Sequence, residues 1–301
     1  MSDDDIIVAL PPGSDLSASP YPPFYCVHAI SGNAVAEFRH LAGLITPVPF
    51  LAIQVPQAQR HPATAESIRL MAARYCDEVL AYHWKHFGDS PFILGGWSAG
   101  VIVALDMAQQ LKAANNPPLM LVAIDKCPRH TKAEIGPWNS TPRNIGLWLK
   151  RSIRNSDTWS EATRSLYKKL WLVIRHRQLY GGPDSEYDSA VVIRNLVDNS
   201  SRLSPSERAF IQAFYELTTG YIPAPYKGKV LVMVTKDGWK DRVVEGWKEI
   251  AWDHKIVRLP GSHASVMLGV KPRGGGRLNL ADVRTLAGHL RYEFNFFRRD
   301  A

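Results

Sequence analysis

The chain has 301 residues, 46% of them apolar and 21% charged, with a formal net charge of +8. That length buries one large core or two modest ones, and three cysteines (Cys26, Cys76, Cys127) without metal-ligand spacing exclude a disulfide scaffold or a structural zinc site. No run of about 18 apolar residues is available to span a membrane; with an acidic start, Met1–Asp5, unlike a secretory leader, the expected compartment is reducing and cytoplasmic.

A strand is expected over Ile6–Leu10, then an extended lead-in rich in proline (Pro11, Pro12, Pro20, Pro22, Pro23). Phe24–Val27 reads as the next strand, ending at His28 and the Ser31-Gly32-Asn33 turn, followed by a short helix Ala34–Leu41 and a strand Phe50–Val55. Thr64 caps a long amphipathic helix that runs through His86 and closes at Gly88. Phe92–Leu94 is a short apolar strand and Val101–Ala113 a helix, while the unbroken apolar run Leu119–Ile124 suits a strand buried on both faces. Lys229–Val234 and Lys255–Leu259 are further strands. Asn279 begins a final helix, Leu280–Phe297, with Asp282 well placed in its first turn.

Strands alternating with helices predict an α/β chain built on a mostly parallel, doubly wound sheet. The alternation breaks between Trp138 and Tyr226, where Leu166, Leu170, Trp171 and Ile174 keep helical spacing without a convincing strand. The expected organisation is a lead-in (1–23), the first part of the core (24–137), a helical lid insertion (138–226) and the second part of the core (227–301). A separate small domain is the alternative for the insertion. Twelve Lys/Arg against seven Asp/Glu lie between Trp138 and Tyr215, so most of the excess positive charge is there. Such a surface attracts nucleic acid, anionic membrane or an acidic protein. No zinc-finger, RNP or basic-zipper pattern supports the first.

Residues 96–100, Gly-Trp-Ser-Ala-Gly, spell G-x-S-x-G between a strand and a helix. In that context the serine sits on a sharp turn with its hydroxyl projecting from the sheet, and flanking glycines are needed where side chains would clash. Ser98 is therefore the candidate nucleophile, the alternative being an ordinary turn with a helix-capping serine. A serine hydroxyl needs a base, usually a histidine oriented by a carboxylate. His263, after the strand Lys255–Leu259 and the turn Pro260-Gly261, fits that role better than His130, His254 or His289. Asp125, at the tip of the strand 119–124, is the favoured acid; Asp237 and Asp241, after the next strand, are the alternatives. The backbone N–H groups of Ala99 and Ile30 are the candidate oxyanion donors, with Gly32 letting the second loop turn tightly.

Together these segments resemble the thioesterase domains of nonribosomal peptide and polyketide synthases. The resemblance is carried by Pro23–His28 with Ser31-Gly32, by Gly96–Gly100, by Leu121–Asp125, by Tyr221–Gly228, and by Gly246-Trp247 with Pro260–His263. It implies an α/β-hydrolase fold, a Ser98–His263–Asp125 triad, and an acyl or peptidyl substrate on the phosphopantetheine arm of an acyl or peptidyl carrier protein, with no cofactor resident in the chain itself. Such domains form an acyl-serine and release the product to water or to an internal nucleophile. An acid at Asp125 points to a chain-terminating domain rather than a proofreading thioesterase; a carboxylesterase or lipase with the same triad, and a scaffold that keeps the fold without the chemistry, are further alternatives. The chain departs from the family pattern at Val101, at Ser31 in place of a frequent glycine, and at the glycine-rich Lys271–Arg277. In the insertion, Trp148, Trp159, Tyr167 and Trp171 are candidate lid or pocket aromatics, and Arg151, Arg154, Lys168, Lys169, Arg175 and Arg177 candidate carrier-docking cations.

Overall fold

The computed structural model of the chain describes residues 5–13, 16, 19–128, 203–240, 243–269 and 278–299. All of them belong to one compact unit, Met1–Arg129 with Arg202–Ala301. The second unit, His130–Ser201, lies outside the described residues, and with it the insertion aromatics and the candidate docking cations. Asp241 and Lys271–Arg277 lie outside them too.

Seven strands form one sheet among the described residues: β1 (Ile7–Leu10), β2 (Phe24–Val27), β3 (Phe50–Ile53), β4 (Ile93–Trp97), β5 (Leu121–Ile124), β6 (Tyr226–Val234) and β7 (Ala251–Arg258). Their spatial order is β1-β3-β2-β4-β5-β6-β7. Every pairing is parallel except β1 on β3 at one edge. Between the strands run α1 (Ala34–Ile45), α2 (Ile68–Phe87), α3 (Gly100–Ala113), α4 (Pro205–Gly220), α5 (Lys236–Lys240), α6 (Val243–Ile250), α7 (Ser265–Leu268) and α8 (Ala281–Asn295).

Strand residues point alternately to opposite faces, so one apolar run serves two helix layers. Phe24 packs edge-on against Phe294 of α8, with ring centroids 5.2 Å apart, while its neighbour Tyr25 turns to the other face and hydrogen-bonds His83 of α2 at 3.1 Å. The four residues of β2, of β3 and of β5 are all buried, as are the five of β4, which is why their sequences are continuous apolar runs. Helix α1 extends past the expected Leu41 because Ala42 and Ile45 continue its apolar face. Helix α2 is capped by Ser67, whose side chain accepts from Leu70 N–H at 3.1 Å; Thr64 instead closes a short 3-10 turn by donating to Gln59 O. Strands β6 and β7 start earlier than their apolar residues because Tyr226 already pairs with Ala251. A helix not read from the sequence, α6, buries Trp247, and its indole N–H donates to Lys126 O at 2.9 Å, tying α6 to the loop after β5. Of the expected insertion, the described part holds α4, whose Phe210, Ile211, Phe214 and Thr218 are buried.

Close approach at the start of α3 fixes the most demanding junction. A methyl group on Gly100 would overlap the carbonyl oxygens of Val27 and His28, so helix α3 can abut the end of β2 only because that residue lacks a side chain. Gly100→Ala should therefore cost about 1–3 kcal/mol of stability or more, as overpacking of a rigid backbone contact does. Gly43, exposed in α1 with open space around it, makes the matching control: Gly43→Ala should stabilise by about 0.5–1 kcal/mol. Urea denaturation midpoints of the two variants check both signs.

Candidate active site

Because β2, β4, β5, β6 and β7 are parallel neighbours, the segments following their C-terminal ends share one rim of the sheet. Open α/β sheets bind their ligands at that rim. Ser98 follows β4, Asp125 follows β5, Thr235 and Asp237 follow β6, His263 follows β7, and the loop 28–33 follows β2. Trp97 pairs with Ile124, so Ser98 and Asp125 occupy equivalent positions on adjacent strands. Ser98 N–H donates to Ile124 O at 3.1 Å, which holds the two tips together.

Both residues are strained. Ser98 has φ 54° and Asp125 φ 56°, left-handed values that cost an L-residue about 1–2 kcal/mol each. At Ser98 the strain is what a sharp strand-to-helix turn requires: α3 begins two residues later, and a methyl on Gly96 would come within 2.5 Å of the Gly100 carbonyl group. Ser98 is half-buried.

Asp125 is fully buried, and its carboxylate is surrounded by donors. Thr235 N–H reaches Oδ1 at 2.8 Å and Thr235 O–H reaches Oδ2 at 2.7 Å. His263 Nδ1 lies 2.9 Å from Oδ2. An ionised carboxylate only accepts hydrogen bonds, so against Asp125 the Nδ1 nitrogen is the donor and Nε2 the accepting nitrogen of the ring. The other face of the imidazole rests on the indole of Trp97, centroids 5.1 Å apart, which brings the ring beside the residue preceding Ser98.

The loop carrying His263 is fastened from both ends. Asp237 Oδ2 accepts from the backbone N–H of His263 at 3.2 Å. Ser262 N–H donates to Ser265 Oγ at 2.8 Å, and Ser265 O–H donates to Asp282 Oδ2 of α8 at 2.7 Å. Asp125 and Asp237 thus both touch His263, one at the ring and one at the backbone. Sequence reasoning passed over Thr235 and Ser265, although a hydroxyl at the tip of the apolar run Val230–Val234 is a visible signal for the first.

The end of β2 abuts the start of α3, where Gly100 lies against the carbonyl oxygens of Val27 and His28, and the loop that holds Ile30 follows directly. Gly32 has φ 76° and its N–H returns to Ala29 O at 3.2 Å. A Cβ on Gly32 would meet the Phe210 ring of α4 at 3.1 Å. The rim thus carries a hydroxyl on a strained turn and an imidazole held against a buried carboxylate, and Ile30 and Ala99 are both buried.

Residues 22–171 match the family described as thioesterase domain. Among the proteins similar in sequence are the non-reducing polyketide synthase ZEA1 of Gibberella zeae, 30% identical over 135 residues (42% of this chain, 6% of that one), and the erythronolide synthase EryA3 of Saccharopolyspora erythraea, 32% identical over 131 residues (43% and 4%). The matches span only a small fraction of either synthase. The crystal structure of the NocB thioesterase domain from the nocardicin cluster aligns over 95% of this chain and 97% of its own, with a TM-score of 0.56 and 17% identity. That likeness is one of fold, the α/β-hydrolase arrangement of sheet and helices.

Removing the Thr235 hydroxyl tests how Asp125 is held. Thr235→Val should destabilise by about 1–3 kcal/mol, the cost of taking a donor from a buried charge. Thr235→Ser should recover most of that loss in the same chemical denaturation series.

Proposed function

We propose, from the match of residues 22–171 to the thioesterase domain family, that the chain is a serine thioesterase. Its substrate is an acyl or peptidyl chain on the phosphopantetheine thiol of a carrier protein. The observation that carries this reading is the 2.9 Å contact between His263 Nδ1 and the buried carboxylate of Asp125, on the rim where Ser98 sits in a left-handed turn. The similarity to polyketide synthases supports the substrate class. The phosphopantetheine arrives with the substrate and is no resident group of this chain.

The chemistry proposed for this site runs through an acyl-serine. Ser98 Oγ attacks the thioester carbonyl carbon while His263 Nε2 takes the hydroxyl proton. The carbonyl oxygen becomes an oxyanion that accepts from the Ala99 and Ile30 amides; loss of one such donor typically costs about 100–1000-fold in rate. As the tetrahedral adduct collapses, the carbon–sulfur bond breaks, and the departing thiol takes the proton held by His263. The acyl-serine is then attacked by water, giving the free acid, or by a nucleophile within the acyl chain, giving a ring. In either case His263 accepts the attacking group's proton and returns it to Ser98.

Asp125, and not Asp237, is the orienting acid in this reading, since only Asp125 meets the imidazole nitrogen; Asp237 holds the backbone of the same loop. An acid on β5 goes with a chain-terminating role.

Ser98→Ala and His263→Ala should each lower kcat by about 10⁶-fold, the scale of triad deletions. Asp125→Asn should lose less, about 10⁴-fold, through a misoriented imidazole. Turnover of a carrier-loaded acyl chain against the matching oxygen ester measures all three variants and separates thioesterase from esterase. Near-normal activity in Asp125→Asn with collapse in Asp237→Asn would move the acid to the end of β6.

A further inference from the structure

A second buried carboxylate lies outside this machinery. Glu37, in the first turn of α1, shares a face with the apolar residues Ala34, Phe38, Leu41, Ala42 and Ile45 and is only 6% exposed. An acid placed there costs stability unless its oxygens are used. Both are used. Oε2 accepts from Ala29 N–H at 2.6 Å, and Oε1 accepts from Ser31 O–H at 2.5 Å. Ser31 Oγ in turn accepts from Asn33 N–H at 3.0 Å. The two residues that Glu37 grips are those on either side of Ile30.

We propose that Glu37 is a positioning residue for the oxyanion site, its carboxylate bridging Ala29 and Ser31 so that the Ile30 amide is held facing the reacting carbonyl. The proposal rests on the serine-thioesterase reading above. It also gives Ser31, the departure from a frequent glycine, a purpose: its hydroxyl is one of the two donors the carboxylate needs.

The grip is strongest when Glu37 is ionised. Burial pushes its carboxyl up to about 7, against the pull of Ser31, Ala29 and the Arg60 guanidinium. The other titratable groups near it are the buried Cys26 thiol of β2 and His28, which leads out of β2 and bonds Tyr75 of α2 at 2.8 Å. Arg60 itself pairs with Glu207 of α4 at 3.8 Å. Burial drives the His28 imidazole down to about 4.

The two shifts act on stability with opposite sign. A carboxyl raised from 4.5 to about 7 contributes stability that is complete below pH 4.5 and lost as pH rises to about 7. An imidazole lowered from 6.5 to about 4 contributes stability that is present above pH 6.5 and lost as pH falls through about 4. Only the difference between wild type and a Glu37 variant isolates the first.

Glu37→Gln keeps the shape but leaves one accepting oxygen in place of two and removes the charge that strengthens both contacts. With an acyl N-acetylcysteamine thioester as probe, kcat at pH 8 should fall about tenfold or more, in line with small misplacement of a reacting group, while KM changes less than twofold. The wild-type to variant ratio of kcat should then approach one below about pH 6, where Glu37 is protonated. Relative to Glu37→Gln, wild-type stability should decline between pH 4.5 and about 7. Ser31→Ala, which removes one donor, should lower kcat in the same direction and carries the test if Glu37→Gln fails to fold. Labelling of Ser98 by an organophosphonate, slower in both variants, completes it. A pH-independent ratio, or kcat within twofold of wild type in both variants, overturns the Glu37 role. A wild type unlabelled at Ser98, or an active Ser98→Ala, overturns the thioesterase reading itself.

Discussion

Parallel pairing is the constraint from which the site follows. Six neighbouring strands run the same way, so the residues after their C-terminal ends arrive at one rim although those named at the site are up to 235 positions apart in the chain, from His28 to His263. The register does the finer positioning: Trp97 opposite Ile124 sets Ser98 and Asp125 side by side, and both tips turn through left-handed backbone. Such strain persists only where the surroundings over-determine it. Here they do, with Gly96 and Gly100 clearing space behind Ser98, and the Thr235 donors closing on Asp125.

Much of this arrangement is legible in the sequence because its causes are local. The unbroken apolar runs of β2, β4 and β5 mark strands buried on both faces, and G-x-S-x-G between a strand and a helix marks a turn that only glycines permit. What escapes is whatever depends on a partner distant in the chain. The early start of β7 at Ala251 is fixed by pairing with Tyr226, ahead of the polar residues Asp253, His254 and Lys255. Thr235 reads as the end of an apolar run until Asp125 is seen against it. Ser67 rather than Thr64 caps α2 because Thr64 is already committed to Gln59.

Asp237 shows why sequence order alone leaves the acid open. It stands after β6 as Asp125 stands after β5, and each is close enough to touch His263. The sheet separates their duties by depth. Asp125 is buried at the strand tip with its oxygens aimed at side-chain and backbone donors, whereas Asp237, in the short helix α5, is partly exposed and reaches only the backbone N–H. A fully buried carboxylate next to an imidazole stabilises a positive charge there far better than a solvated one does.

The two buried carboxylates, Asp125 and Glu37, illustrate how burial is used in opposite ways around one reacting centre. Asp125 meets the Thr235 N–H, the Thr235 O–H and the His263 ring. Glu37 meets the Ala29 N–H, Ser31 and the field of the Arg60 guanidinium, set among the apolar residues of α1. There burial outweighs the donors, and the carboxyl of Glu37 is pushed up to about 7. The protein would be more stable with a neutral side chain at that position, and retaining an acid there makes sense only if the loop it holds must not move. A thioester carbonyl gains its negative charge only as the bond is attacked, so the donors have to be in place beforehand, and rigidity at Ala29 and Ser31 is what a preorganised amide at Ile30 requires.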